Sequence, residues 1–219
     1  INAWVAAFFF PLARVLALLA TAPPFNNPAL PARVRLAAGL ALTFAIAPAL
    51  PPLPAVAPGS GDGLLLLAQQ MLIGLAMGFA MRLVFSAVDM AGNLISLQMG
   101  IGFASSYDPQ TAGQTVVVSE FLGLLALLVF MAINGHLMVI ATLTHSFSVI
   151  PIGANSLQPG SWWQLATSGA IIFTYGLLLA LPIVVALLIT NLALAILGRA
   201  APQLNLMAIG FPLTIALGF

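Results

Sequence analysis

The chain has 219 residues, of which 62% are hydrophobic and only 4% are charged, whereas soluble domains carry roughly 25% charged residues. Five arginines and four acidic residues leave a net charge of +1, which excludes a water-exposed globular surface and the basic footprint of a nucleic-acid-binding protein. Because cysteine and lysine are absent, disulfides, thiolate metal sites, Schiff-base chemistry and a nucleotide-binding P-loop are excluded too, which leaves an integral membrane protein that scaffolds, conducts or transports.

Clusters of proline and glycine divide the chain into about six apolar runs, each typical of a membrane-type helix. No run shows the sustained alternation of a strand, so the predicted fold class is all-α. The first run contains Arg14, which the core of a signal peptide tolerates badly, and we interpret this run as mature structure. The chain begins without methionine and ends inside an apolar run, so natural sequence is expected beyond both ends. The runs cover residues 4–20, 34–50, 64–98, 116–150, 162–197 and 204–219.

The third run is too long for a simple membrane span. Its residues, about 35 in number, would form a helix of roughly 50 Å, against a hydrocarbon core of about 30 Å. Gly74 and Gly78 lie in this run with G-x-x-x-G spacing, which allows a helix to approach another at backbone distance. We interpret these two glycines as packing positions.

Polar residues of the third run form one stripe along the predicted helix. Arg82, Ser86, Asp89, Asn93 and Ser96 recur at helical spacing, and a charge at the bilayer centre costs about 2.5–3.5 kcal/mol. Arg82 and Asp89 are about 10.5 Å apart along the axis, too far for a direct salt bridge. Their partners are therefore other helices of the same chain or, in the reading we favour, neighbouring subunits or an aqueous path.

A glycine-rich segment between the third and fourth runs is the candidate gate. Irregular backbone at membrane depth is tolerated only inside protein or beside a water-filled cavity, so the segment is interpreted as a flexible plug that lines a pore. An ordinary exposed loop is the alternative. The residues of the predicted plug are Met99, Gly100, Gly102, Phe103, Tyr107, Asp108, Pro109, Gln110, Gly113 and Gln114.

The remaining polar residues predict no chemistry. His136 and His145 are nine residues apart, which places them on opposite faces of a helix, and no acid or cysteine lies at ligand spacing. The sequence contains no nucleophile signature such as G-x-S-x-G. We therefore predict no catalytic residue, no metal and no cofactor, and an intramembrane hydrolase is the least favoured of the hypotheses.

Short motifs follow one another in a fixed order along almost the whole chain. Each is weakly specific alone, whereas their ordered spacing is strongly specific. In chain order they are Phe10-Pro11-Leu12-Ala13-Arg14-Val15, Ala22-Pro23, Gln98-Met99-Gly100 with Asp108-Pro109, Asn134-Gly135-His136, Leu181-Pro182, Arg199-Ala200-Ala201-Pro202-Gln203-Leu204-Asn205 and Gly210-Phe211-Pro212-Leu213. Together they resemble the R-subunit (FliR) family of the flagellar type III export gate, which has homologues in virulence secretion systems.

The resemblance implies a non-enzymatic subunit of a helical hetero-oligomeric export pore in the inner membrane, within the flagellar basal body. In that family one R subunit joins five P-type and four Q-type subunits, an export switch subunit wraps the entrance, and unfolded export substrates pass through. The helices are bent hairpins that lie largely above the membrane plane.

Carried onto this chain, the resemblance divides a single 1–219 subunit into two parts. Residues 1–150 would be P-subunit-like and would contain the plug loop at about 99–118. Residues 151–219 would form a Q-subunit-like hairpin, with its bend at Arg199, Pro202, Gln203 and Asn205.

A second hypothesis is a proton- or solute-coupled secondary transporter, in which Asp89 and either His136 or His145 would titrate. It predicts that the isolated chain transports a solute in liposomes and that Asp89→Asn abolishes coupling. An export-gate subunit should be inert alone and should co-purify with two smaller membrane proteins.

Overall fold

The structure is a computed structural model that describes residues 2–26, 30–50, 56–101, 117–153, 159–201 and 206–219. Within these ranges every regular element is helical, which confirms the all-α prediction. A 3-10 turn, Ala47–Ala49, follows the second helix. The α-helices are α1 Asn2–Thr21, α2 Ala32–Ile46, α3 Gly61–Met99, α4 Val117–Ala132, α5 Gly135–Val149, α6 Pro159–Thr167, α7 Ala170–Ala200 and α8 Leu206–Gly218.

Two of the predicted runs are each divided into two helices. The fourth run breaks at Asn134, the one described non-glycine residue with a positive φ, 56°. Gly135 follows, and a Cβ there would collide with the ring and carbonyl oxygen of Phe130. The fifth run breaks at residues 168–169, where a turn separates α6 from α7. The described residues thus form eight helices where six apolar runs were predicted, because apolar composition alone does not reveal a left-handed residue or a turn.

Three described helical stretches are long and apolar enough to cross a membrane. They are Ala32–Ala49, Gly61–Met99 and Gly160–Ala200, and the bent pair α4 and α5 would be a fourth if it counted as one span. The 39 residues of α3 correspond to about 58 Å of helix. This helix therefore exceeds the bilayer core of about 30 Å, as its sequence predicted.

The chain divides into two compact units. Unit 1 contains residues 1–83 and 129–168, and unit 2 contains residues 84–128 and 169–219. The core of unit 1 surrounds α1, which packs on α2. Its buried apolar residues are Phe10, Val15, Leu18, Leu19, Ala22, Ile46, Leu143, Phe147 and Ile152.

Unit 2 has its own core, and α7 packs on α8 within it. Most of α7 nevertheless stays uncovered, since only 11% of its most apolar window is buried. An apolar surface of this extent must be covered by lipid or by another protein chain. The buried apolar residues of unit 2 are Ala91, Ile95, Met99, Val118, Ala180 and Leu187.

Candidate functional site

The most buried charged side chain of the described residues is Arg14, at the centre of unit 1. Its exposed fraction is 0%, although it lies in the middle of the apolar helix α1. Its guanidinium donates three hydrogen bonds: Nε to Gln70 Oε1 at 2.8 Å, Nη1 to Ser146 Oγ at 3.0 Å, and Nη2 to the Ile150 carbonyl at 2.9 Å. It also stacks on the ring of Phe147, whose centroid is 4.1 Å from Cζ. This single side chain therefore joins α1 to α3 and to the end of α5.

The partners of the Arg14 guanidinium are neutral groups, and no described carboxylate is among them. Part of the compensating charge comes from α5 itself. Ile150 is the C-cap of that helix, and the C-terminus of a helix carries about half a negative charge from its aligned peptide dipoles. The face of the Phe147 ring adds a cation–π interaction. The arrangement satisfies a buried cation without a salt bridge.

Two neighbouring groups complete the buried polar cluster. The Ser146 hydroxyl accepts from Arg14 and donates to the Leu143 carbonyl at 2.6 Å. Gln70 is fully buried; its Oε1 accepts from Arg14, and its Nε2 has no hydrogen-bond partner among the described residues. Removal of Arg14 would therefore leave Gln70 more poorly satisfied than it already is.

The glycines of the G-x-x-x-G pair lie where α3 crosses α1, within unit 1. A Cβ at Gly74 would collide with the carbonyl oxygen of Arg14 and would lie 2.8 Å from the Cβ of Ala17. A Cβ at Gly78 would collide with Thr21, 2.8 Å from its Cβ. The backbones of the two helices thus approach closely one turn from the buried arginine, and this approach brings Gln70 within reach of Arg14.

The polar stripe has a mixed environment. Arg82 is exposed in unit 1, whereas in unit 2 Asp89 and Asn93 are exposed, Ser86 is half-buried and Ser96 is buried. The buried hydroxyl of Ser96 has no hydrogen-bond partner among the described residues. The exposed part of the stripe in unit 2 therefore consists of Asp89 and Asn93.

Asp89 lies beside the crossing of α3 and α4. The Ser119 hydroxyl donates to the Asp89 carbonyl oxygen at 3.0 Å, and a Cβ at Gly123 would lie 3.3 Å from the Asp89 carboxylate oxygen Oδ1. At Gly92 the helices come closer still, since a Cβ there would lie 2.8 Å from the backbone nitrogen of Ser119. A tight helix crossing holds the carboxylate at the surface of unit 2.

Met99 and Gly100 lie at the base of the predicted plug. Met99 is the last residue of α3 and is 1% exposed. Gly100 has a φ of 82°. Its N–H donates to the Leu97 carbonyl at 3.2 Å, and the N–H of Ile101 donates to the Ser96 carbonyl at 3.3 Å. This pair of bonds is a Schellman motif, which ends α3 at a defined residue.

One face of α8 covers this end of α3. The Thr214 hydroxyl donates to the Met99 carbonyl at 3.2 Å, and the Phe211 ring lies 3.8 Å from the place of a Cβ on Gly100. At Gly218 a Cβ would lie 2.8 Å from Cε of Met99. Beside these contacts lies a groove of about 590 Å³, with Gln98 and Asn191 as its amide side chains. The base of the predicted loop is therefore anchored in the core of unit 2.

We expect Gly100→Ala to destabilise this anchor by about 1 kcal/mol, because an L side chain is disfavoured in the left-handed conformation. Crowding makes no contribution, since the nearest atom to the new Cβ is 3.8 Å away. Gly100→Asn should lose less, because asparagine tolerates this conformation better. Thermal denaturation of the solubilised protein should rank glycine above asparagine above alanine. Equal midpoints for alanine and glycine would contradict the assignment.

Several predicted site residues lie outside the described residues. Met99 and Gly100 are the part of the predicted plug that is described, and Arg199 is the described part of the predicted hairpin bend, exposed in the last turn of α7. The structure therefore does not describe Gly102, Phe103, Tyr107, Asp108, Pro109, Gln110, Gly113, Gln114, Pro202, Gln203 and Asn205.

The buried cluster around Arg14 was not predicted from the sequence. Its members are separated by 56, 132 and 136 residues along the chain, and no local pattern connects them. One signal was present, because an arginine inside an apolar run must find partners. That rule indicates that Arg14 is satisfied but does not identify Gln70, Ser146 or Ile150.

Comparison with known proteins gives consistent matches over almost the whole chain. The family described as "Bacterial export proteins, family 1" matches residues 5–219. The flagellar biosynthetic protein FliR of Pectobacterium carotovorum subsp. carotovorum is 45% identical over 219 residues, which cover 98% of this chain and 82% of that protein. The FliR protein of Escherichia coli strain K12 is 45% identical over 215 residues, with the same two coverages. The FliR protein of Caulobacter vibrioides is 32% identical and covers 98% of this chain and 85% of its own length.

Proposed function

Because the chain belongs to the FliR family of bacterial export proteins and is a membrane-associated component of the flagellar export apparatus, we propose that it is a core subunit of the flagellar type III export gate. In this proposal it forms, with P- and Q-type subunits, the closed pore through which unfolded flagellar proteins cross the inner membrane. An export switch subunit contacts the entrance of this pore. In this proposal the subunit acts without a catalytic residue and without a cofactor.

The observation that carries the proposal is the exposure of Asp89 and Asn93 on an apolar helix. Both side chains lie at the surface of unit 2, on a helix of which 28% of the most apolar window is buried. A carboxylate that faced lipid near the bilayer centre would cost about 2.5–3.5 kcal/mol. Another protein chain or the water of a pore removes this cost, and an export gate provides both.

Site-specific photocrosslinking tests this contact. A photoreactive phenylalanine analogue at position 86 or 93 is expected to crosslink the chain to a P- or Q-type subunit, because these positions flank the exposed carboxylate on α3. The same variants expressed without the other gate subunits provide the matched control and should lose the adduct. Adducts with lipid alone, or identical products in both backgrounds, would contradict the proposal.

We propose that the glycine-rich segment after Met99 blocks the pore at rest. The composition of the segment and the family resemblance support this role, and the Schellman motif at Gly100 supplies a fixed base for it. Deletion of residues 102–114 should raise the leak of small ions through assembled gates, since the closed pore loses its obstruction. Conductance of planar bilayers or ion leak in cells measures the effect. Unchanged leak in normally assembled gates would rule out the plug.

The two-part division of the subunit belongs to the same proposal. Residues 1–150 would correspond to a P-like part and residues 151–219 to a Q-like hairpin with its bend at residues 199–205. The secondary-transporter hypothesis makes the opposite prediction for the isolated chain. On the export-gate proposal, the chain alone should transport no solute in liposomes. Asp89→Asn should then change the assembly of the gate and should have no effect on the coupling of protons to solute transport.

A further inference from the structure

Two adjacent tryptophans lie exposed on the short helix α6. Trp163 is 73% exposed and Trp162 is 36% exposed. Within the described part of the chain neither indole N–H has an acceptor. An exposed pair of the largest side chains, each with an N–H donor, indicates an external partner that is apolar and also accepts hydrogen bonds.

The two hydroxyl groups at the C-terminal end of α6 bond to carbonyls of the helix itself. The Thr167 hydroxyl donates to the carbonyls of Trp163 and Gln164, both at 3.0 Å, and the Ser168 hydroxyl donates to the Gln164 carbonyl at 2.7 Å. No charged residue occurs in α6. The helix therefore has no charge with which to select an ionic partner, and its two exposed indoles present N–H donors on a large apolar surface.

The position of the pair along the chain identifies the partner. The tryptophans begin the candidate span Gly160–Ala200, whose most apolar 18-residue window has a mean hydropathy of 2.6, and no charged residue precedes Arg199 in this span. Tryptophan is enriched where a membrane span meets the headgroup region, because its ring is apolar and its N–H bonds to the lipid carbonyl and phosphate oxygens. A protein partner at this place would leave the start of the most apolar span without such an anchor.

We propose that Trp162 and Trp163 anchor α6 in the headgroup region of the phospholipid bilayer and fix the depth at which the following span enters the membrane. The inference does not depend on the pore. It concerns the lipid contact of this chain and holds or fails whether or not the export gate has the proposed composition.

Fluorescence quenching by brominated phospholipids tests the anchor. The full chain, purified with the subunits that accompany it, is reconstituted in vesicles of phosphatidylcholine and phosphatidylglycerol. Trp4→Phe leaves the pair as the tryptophans of this chain, and subtraction of a sample that also carries Trp162→Phe and Trp163→Phe isolates their emission. This emission should be lost more strongly with lipid brominated near the glycerol end of its acyl chains than with lipid brominated near the methyl end.

A deeper position provides the matched control. Phe173 is 65% exposed and lies ten residues beyond Trp163, further along the candidate span Gly160–Ala200. Phe173→Trp, made in the background without the native tryptophans, should reverse the order of quenching. The inference is overturned if the emission of the native pair is insensitive to both lipids, since protein then covers it. It is also overturned if methyl-end bromine quenches the pair most strongly, since the pair then lies in the bilayer centre.

Discussion

Replacement of Arg14 by alanine is expected to prevent stable folding of unit 1. The Gln70 Oε1 and Ile150 carbonyl acceptors would remain buried without their donor, and each unsatisfied buried group costs about 1–3 kcal/mol. The Ser146 hydroxyl keeps its bond to the Leu143 carbonyl, so it adds little to the free-energy cost of the substitution. The two acceptors together account for about 2–6 kcal/mol, and the vacated volume adds a cavity term. A loss of this size is a large fraction of the stability of a typical domain.

Conservative replacements separate charge from geometry. Arg14→Lys keeps the positive charge near the C-terminus of α5 but cannot direct donors from one rigid plane to three acceptors on different segments. The stability of Arg14→Lys should therefore lie between that of the wild type and that of Arg14→Ala. Arg14→Met combined with Gln70→Leu removes the cation and its unsatisfied amide together, and it should be more stable than Arg14→Met alone because less polar surface remains buried without partners.

These effects are measured as the amount of membrane-integrated chain that remains at intervals after translation is blocked. Thermal denaturation of the solubilised protein is a second readout. Arg33→Ala is the matched control, since Arg33 is exposed in the same unit. We expect the control to behave as wild type and Arg14→Ala to be degraded. Wild-type levels and an unchanged melting temperature for Arg14→Ala would show that the buried cluster does not hold α1, α3 and α5 together.

The second large effect is expected at the crossing of α1 and α3. Gly74→Ala and Gly78→Ala each add a methyl group on α3 that collides with α1. At Gly74 the methyl group meets the backbone of Arg14, and at Gly78 it meets Thr21. Neither the Arg14 carbonyl nor the Cβ of Thr21 can rotate away as the end of a flexible side chain can, so each change should cost about 1–3 kcal/mol or separate the helices. Separation would also pull Gln70 away from Arg14, so the double variant should lose less than the sum of the single losses.

Gly61→Ala is the control for this crossing. It lies at the start of the same helix, and a Cβ there has no heavy atom within 4 Å. Alanine should be neutral or slightly stabilising at this position because its helix propensity exceeds that of glycine. Protease resistance and melting temperature should therefore fall for Gly74→Ala and Gly78→Ala but not for Gly61→Ala. Equal protease resistance and equal melting temperatures of all three variants would show that the crossing of α1 and α3 does not determine stability.

The sequence predicted features that depend on local pattern. Apolar runs and the proline and glycine clusters between them located the helices, and the spacing of Gly74 and Gly78 identified two positions that lie at a helix crossing. The break at Asn134 was missed because an apolar run of this length is compatible with one helix, and a left-handed asparagine before glycine is a weak signal against it.

Contacts between distant segments could not be predicted in this way. Periodicity placed Ser96 on the same stripe as Asp89, yet Ser96 is buried and Asp89 is exposed, because burial depends on which helix packs against each turn. The same limit applies to Arg14, whose partners come from α3 and α5. Helical spacing determines which residues share a face, and tertiary packing determines what that face contacts.

We propose above all that other gate subunits cover the exposed polar groups of this apolar chain. The most direct measurement is native mass spectrometry of the chain purified from cells that also make the P- and Q-type subunits. We predict one defined hetero-oligomer that contains both smaller proteins, and aggregation of the chain when it is made alone. A stable, monodisperse chain in detergent that binds neither protein, with Asp89 and Asn93 facing the micelle, would contradict the account.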